Sequence, residues 1–245
     1  MELIEALLGV AMPIRTVGEY LPRWSHTPPR PRKRALEQRP AEVRRWLEET
    51  YPAILARAKA EKALIDWGDE TAVVEEGHGV RGGAPQGKTP VLATPSRRSG
   101  LALGSAISHQ GLVRFRWIEP AMNPALFIEF LGQLIADQAQ NVFLILDNLK
   151  VHPATLVTEW VGERPQQIEL FYLPPHTPER NPTEYLNRDF KTPLRLSARS
   201  STPHALRQKA NAFLQFVIST PDRIMAYFNH PAVQYAAQSP ISLPG

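Results

Sequence analysis

Cysteine is absent from all 245 residues. No disulfide framework and no thiolate metal site can form, so any metal the chain holds must sit on oxygen or imidazole. Long hydrophobic runs are missing too. The most apolar stretch, Val142 to Leu146, falls far short of the roughly 20 residues a membrane helix needs, so no membrane partner is expected. The opening MELIEALLGV lacks the basic region of a secretion signal, and with no cysteine a cytoplasmic location is the expectation. A strong overall charge is also lacking, at +4, yet the basic residues are unevenly placed. Arg30, Arg32, Lys33 and Arg34 cluster among prolines, and Lys191 and Arg195 lead a second group toward the C-terminus. Such clusters attract phosphate backbones through charge and counterion release, which makes these six residues candidate DNA contacts. They equally suit a solvated linker and a solvated helix face.

What is present sorts into three segments. Residues 2–9 and 13–24 predict two short helices, the second with Ile14, Val17, Leu21 and Trp24 at helical spacing, so 1–26 is read as a partial helix-turn-helix. A plain helix packed on the main domain fits the same pattern. TPPRPRKR at 27–34 is proline-rich and basic, and 27–40 is expected to be an extended linker. Residues 41–245 form the main domain. Helices are predicted over 41–50 and 53–62 with Pro52 interrupting them, and a buried strand from Ala63 to Glu70 whose end carries Asp69. Segments 100–108 and 111–119 alternate as a hairpin about Gln110-Gly111. Asn123-Pro124 starts a helix with one apolar stripe, and Val142 to Leu146, apolar at every position, reads as a central strand ending at Asp147. A helix over 153–163, a strand over 168–173, a helix from Asn181 and two tail helices parted near Pro221 complete a mixed α/β domain with helices on both faces of its sheet.

Two-metal phosphoryl transfer needs acidic oxygens converging on cations that activate the attacking oxygen and stabilise the leaving one. Hard oxygen donors also suit magnesium. Asp69 and Asp147 stand at predicted strand ends, where ligands gather in α/β sheets. Glu184 opens the helix after PPHTPERNP, a loop stiffened by four prolines. Each has a structural alternative: Asp147-Asn148 suits a turn, Asp69-Glu70 an exposed strand end, and Asn181 with Glu184 three positions on a capping box. Asp66 and Glu70 fall on the opposite strand face from Asp69.

DWGDET at 66–71, LILDNLKVH at 144–152 and FYLPPHTPERNPTEYLNRDFK at 171–191 resemble the three catalytic blocks of insertion-sequence-630 family transposases, relatives of mariner elements. The step of 37 positions from Asp147 to Glu184 is close to that family's second spacing. The resemblance implies an RNase H-like fold and a DDE site in which Asp69, Asp147 and Glu184 bind two Mg2+ or Mn2+ ions. It implies hydrolysis at transposon ends and attack of the freed 3′ hydroxyl on target DNA at TA, by a homodimer on DNA in a bacterial, nucleoid-associated setting. Gly83 stands where the family usually carries an aromatic residue, and His152 is expected to support the ligands from behind or to pack rather than to bind metal. Compared with the family, the DNA-binding region starts partway through. A truncated copy, or a split element whose partner frame supplies the rest, follows from that. A catalytically inactive DNA-binding remnant and another RNase H-like nuclease remain as alternatives.

Overall fold

The computed structural model describes residues 2–26, 37–74, 100–119, 121–136, 138–147, 155–196 and 203–238. The basic residues Arg30, Arg32, Lys33 and Arg34, the segment with Gly83, and His152 lie outside the described residues. The chain divides into two compact units, Met1–Leu36 and Glu37–Gly245.

The first unit contains α1 (Glu2–Leu8) and α2 (Ile14–Arg23). Pro13 sits at the N-cap of α2, and Trp24 closes it while stacking on Tyr20 at 5.5 Å.

The second unit opens with α3 (Pro40–Arg45), a π turn over Trp46–Thr50, and α4 (Tyr51–Glu61). The predicted break at Pro52 is not there. Pro52 lies in the first turn of α4, where a proline's missing amide removes no needed bond, and the wider π turn before it carries the chain through. This leaves Trp46, Tyr51, Ile54 and Ala58 buried along one stripe. Lys62 ends α4 in the left-handed region, at φ 55°.

Five strands follow: β1 (Leu64–Val74), β2 (Gly100–Ser108), β3 (Val113–Ile118), β4 (Val142–Leu146) and β5 (Ile168–Tyr172). Their order is β3-β2-β1-β4-β5, with β1, β4 and β5 parallel and the β1-β2-β3 meander antiparallel. β4 is buried at all five positions, as a strand covered on both faces must be. One face carries Ile65, Trp67, Phe143 and Ile145 against α4 and the C-terminal elements. The other carries Leu144 and Leu146 against α5 (Pro124–Ala136) and α6 (Thr155–Gly162). Asn123 caps α5 as expected, its Oδ1 accepting the Leu126 N–H at 3.0 Å. α7 (Thr183–Leu196), α8 (Pro203–Ile218) and α9 (Pro221–Tyr227) follow.

One strand boundary needs correction. β1 does not end beside Asp69 but runs on to Val74, because β2 pairs with it without a break from Asp66↔Ser108 to Val74↔Gly100. Only the parallel partner stops early, at Gly68↔Leu146.

The β2–β3 turn is fixed by Gly111, whose φ is 87°. A Cβ there would lie 2.6 Å from Pro221 Cβ and 2.9 Å from Pro221 O. Gly111→Ala combines a disfavoured backbone region with a clash against the start of α9. We expect it to lower stability by about 2–3 kcal/mol, read from urea unfolding; a change within 0.5 kcal/mol would show that the hairpin and α9 separate freely.

Candidate active site

The parallel register stops at Gly68↔Leu146, and the next residue on each strand is an aspartate, Asp69 and Asp147. Neighbouring strands run about 4.8 Å apart, and the period of two puts both side chains on the face that carries Trp67 and Ile145. Two acids thus stand side by side where the parallel ladder opens, the place where open α/β sheets bind ligands. Asp69 is half-buried, its Oδ1 accepting the Glu70 N–H at 2.8 Å and its Oδ2 accepting Asn187 Nδ2 at 2.7 Å.

Glu184 reaches the same place from α7. Two buried residues fasten the start of that helix to β1: Thr183 Oγ1 donates to Trp67 O at 2.6 Å, and Asn181 Nδ2 donates to Gly68 O at 3.0 Å. Those carbonyls immediately precede Asp69, so the helix is indexed against the strand that carries the acid. Asn181 Oδ1 also caps the helix by accepting the Thr183 N–H at 3.0 Å. The reciprocal half of a capping box is not formed, because the Asn181 N–H donates to Pro178 O at 2.9 Å. The cap therefore needs nothing from the Glu184 carboxylate, which removes the structural alternative for that residue.

The three charges act on one another. Burial, then the charges of Glu184 and Asp147, push the Asp69 carboxyl up to about 8, with the Glu70 N–H and Lys191 pulling the other way. Burial, then Glu184 and Glu70, push Asp147 up to about 6. Lys191 thus acts on Asp69 from two turns along α7. Arg195 lies on the last turn of α7, with its side chain outside the described part. Asp66 stays out of the cluster as the period predicts; it is fully buried and paired with Arg114 at 2.7 Å. Glu70 also lies on the far face, yet its charge reaches Asp147.

Among the described residues, no three histidine, aspartate or glutamate side chains converge into a ready coordination set. Their donor chemistry nevertheless fits a hard divalent cation. Carboxylates that raise one another's pKa are relieved by a cation between them, and no soft ligand competes. A cleft of about 370 Å³ adjoins Asp147, walled by the loop from Leu173 to Pro178. The wall is stiff: the Leu173 N–H donates to Leu146 O at 2.8 Å, and Thr177 Oγ1 donates to Pro174 O at 2.6 Å. Thr183 and Asn187 are the site residues that sequence reasoning missed. Polar side chains at buried helical positions beside Glu184 would have been the signal.

The DDE superfamily endonuclease family matches residues 65–207, and a winged helix-turn-helix family matches residues 1–50. The chain belongs to the DDE superfamily endonucleases. No curated protein matches it in sequence. Among solved structures it is similar to the mariner Mos1 paired-end complex with Mg, at 15% identity and a TM-score of 0.66 over 96% of this chain and 74% of that one. It is similar to the Mos1 strand transfer complex at 16% identity and TM-score 0.62, over 91% and 70%. The Mos1 catalytic domain alone matches at 14% identity and TM-score 0.50, over 82% of this chain and 97% of that domain. The fold is that of the mariner transposases, an RNase H-like mixed sheet flanked by helices.

Proposed function

We propose that this DDE endonuclease works as a transposase, cutting transposon DNA ends and joining the freed 3′ hydroxyl to target DNA. The observation that carries the reading is the pair Asp69 and Asp147 side by side at the open end of the parallel ladder, with the charge of Glu184 acting on both, on a family-matched scaffold. The two aspartates sit on adjacent rigid strands and Glu184 on a helix indexed to one of them, so their relative placement is set by backbone geometry. These three residues would hold Mg2+ or Mn2+, and two ions suit the reaction. When bound, such ions activate the attacking oxygen and neutralise charge on the leaving oxygen. Lys191 offsets part of the local negative charge, which favours approach of a phosphate to three acids. Its neighbour on the helix, Arg195, and the basic cluster Arg30, Arg32, Lys33 and Arg34 would take backbone phosphates.

The domain assignment belongs to the same reading: residues 1–26 and the linker 27–40 hold transposon ends, and 41–245 do the chemistry. Work on two transposon ends, after the paired-end complex of Mos1, suits a homodimer, and the resemblance of the catalytic blocks makes TA the target in this reading. The likeness to that complex also supports a working location on DNA. Among the described residues no helix is long and apolar enough to cross a membrane.

Glu184→Gln tests the reading because glutamine keeps the helix start, whose cap does not use the carboxylate, and loses only the anionic donor. We expect Mg2+-dependent nicking of terminal-repeat DNA to fall roughly a hundredfold, with a metal-free melting temperature no lower than the parent's. Undiminished nicking would sink the site. A strand-transfer assay separates the rivals: an inactive remnant binds the ends without nicking, and a plain nuclease nicks without joining.

A further inference from the structure

α7 presents more than Glu184 to the acids. Asn187, one turn on, and Lys191, two turns on, follow at the i, i+3, i+7 spacing that places side chains on one helix face. Asn187 is 2% exposed, within a helix whose other buried positions after its first residue, Leu186, Phe190 and Leu194, are apolar. A polar side chain kept in such a place costs stability unless its groups are matched. Only one end of this amide is matched. Nδ2 donates to Asp69 Oδ2 at 2.7 Å, while the buried Oδ1 has no partner among the described residues. Leucine, of similar size, would satisfy the packing without leaving that oxygen stranded. The retained amide therefore answers to Asp69 rather than to the core.

We propose that Asn187 is a positioning residue that holds the Asp69 carboxylate in the orientation required for divalent-cation binding. This rests on the reading of Asp69 as a metal-holding residue. The geometry explains how the orientation is set. The Glu70 N–H fixes Oδ1 at 2.8 Å and the Asn187 amide fixes Oδ2 at 2.7 Å, so the carboxylate is gripped at both oxygens and cannot rotate about its last torsion. Each oxygen keeps lone pairs for a cation. α7 itself is fastened to β1 by Thr183 and Asn181, so Asn187 transmits to Asp69 the same registration that places Glu184. Hydrogen-bond partners of ligating carboxylates commonly contribute 10–100-fold in metal affinity.

The test is Mn2+ binding to the full chain by titration calorimetry in the absence of DNA, with Asn187→Leu and Asn187→Ala beside Asp69→Asn and Glu184→Gln. We expect both Asn187 variants to bind Mn2+ roughly tenfold more weakly, with metal-free melting temperatures no lower than that of the parent for the leucine variant. A merely structural asparagine would move the melting temperature and leave the affinity alone, and that result overturns the proposal. Affinity within twofold of the parent in the Asn187 variants, alongside weakened binding in Asp69→Asn, overturns the positioning role alone. Undiminished binding in Asp69→Asn and Glu184→Gln instead overturns the metal site. If Asn187→Leu does not fold, Asn187→Ala decides; loss of the fold in both assigns the residue to the core and overturns the proposal.

Discussion

Asp69→Asn is expected to abolish cleavage while making the metal-free protein more stable, and the two effects have one cause. Asp69 is crowded by burial and by the charges of Glu184 and Asp147. A carboxyl whose folded-state pKa lies above its unfolded value supports the folded state at low pH and withdraws that support as pH rises through the folded value. From an unfolded value of about 4, the window closes near 6 for Asp147 and near 8 for Asp69. Without metal, the parent should therefore melt at lower temperature at pH 8.5 than at pH 5.5 as far as this site is concerned. Asparagine carries no charge at either pH, so the variant should gain about 1–2 kcal/mol over the parent at pH 8.5 and little at pH 5.5. Magnesium should reverse the order, raising the parent's melting temperature most at high pH, where the ligands are ionised, and leaving the variant nearly unmoved. Nicking should fall by roughly a thousandfold or more. A pH-independent gap between parent and variant in metal-free melts would mean that the three acids are not electrically coupled.

The sheet and its helices are legible wherever burial writes an unambiguous pattern. Val142 to Leu146 is apolar throughout and is buried throughout. The stripe of α5 and the Asn123 cap likewise follow from spacing and side-chain chemistry alone. Strand β1 is less legible because its length is decided by a partner: the β2 pairing carries it past Glu70 to Val74, and the acidic pair Asp69-Glu70 reads as a strand end although Thr71, Val73 and Val74 beyond it are β-branched. Pro52 misleads for the converse reason, since a local rule about helix breakers says nothing of a π turn that shifts the frame. At the site, Asp69 and Asp147 are recognisable in sequence, but their adjacency depends on the register Gly68↔Leu146, which no single segment encodes. Asn187 and Thr183 are hidden more deeply. Their partners are Asp69 and the Trp67 carbonyl, more than a hundred positions away, so only the folded chain reveals why polar residues stand there.

Arg114→Met is expected to be among the most damaging substitutions in the catalytic unit although it touches none of the three acids. Asp66 lies on the central strand with its side chain fully buried, and Arg114, 17% exposed, reaches it from β3 across β2 with an N–H donated at 2.7 Å. Burial raises the Asp66 carboxyl pKa and the Arg114 charge opposes that rise, with burial the larger influence. Its Oδ1 already has no partner among the described residues, so the arginine is what makes an ionised carboxylate tolerable there. Removing one partner of a buried pair leaves an uncompensated charge and costs about 3–5 kcal/mol, whereas replacing both by apolar groups is often neutral. At pH 7 the single variant should lose that much in urea unfolding, and the loss should shrink as pH is lowered, because a protonated Asp66 strands no charge. Arg114→Met combined with Asp66→Leu should recover most of the stability. Below its lowered melting temperature, Arg114→Met should still nick DNA in Mg2+ at close to the parent's rate, since Asp66 faces α5 and not the acids. A loss under 1 kcal/mol, or a double variant no better than the single, would show that the carboxylate is neutral at pH 7. A loss of nicking in folded Arg114→Met would instead place Asp66 within the working site.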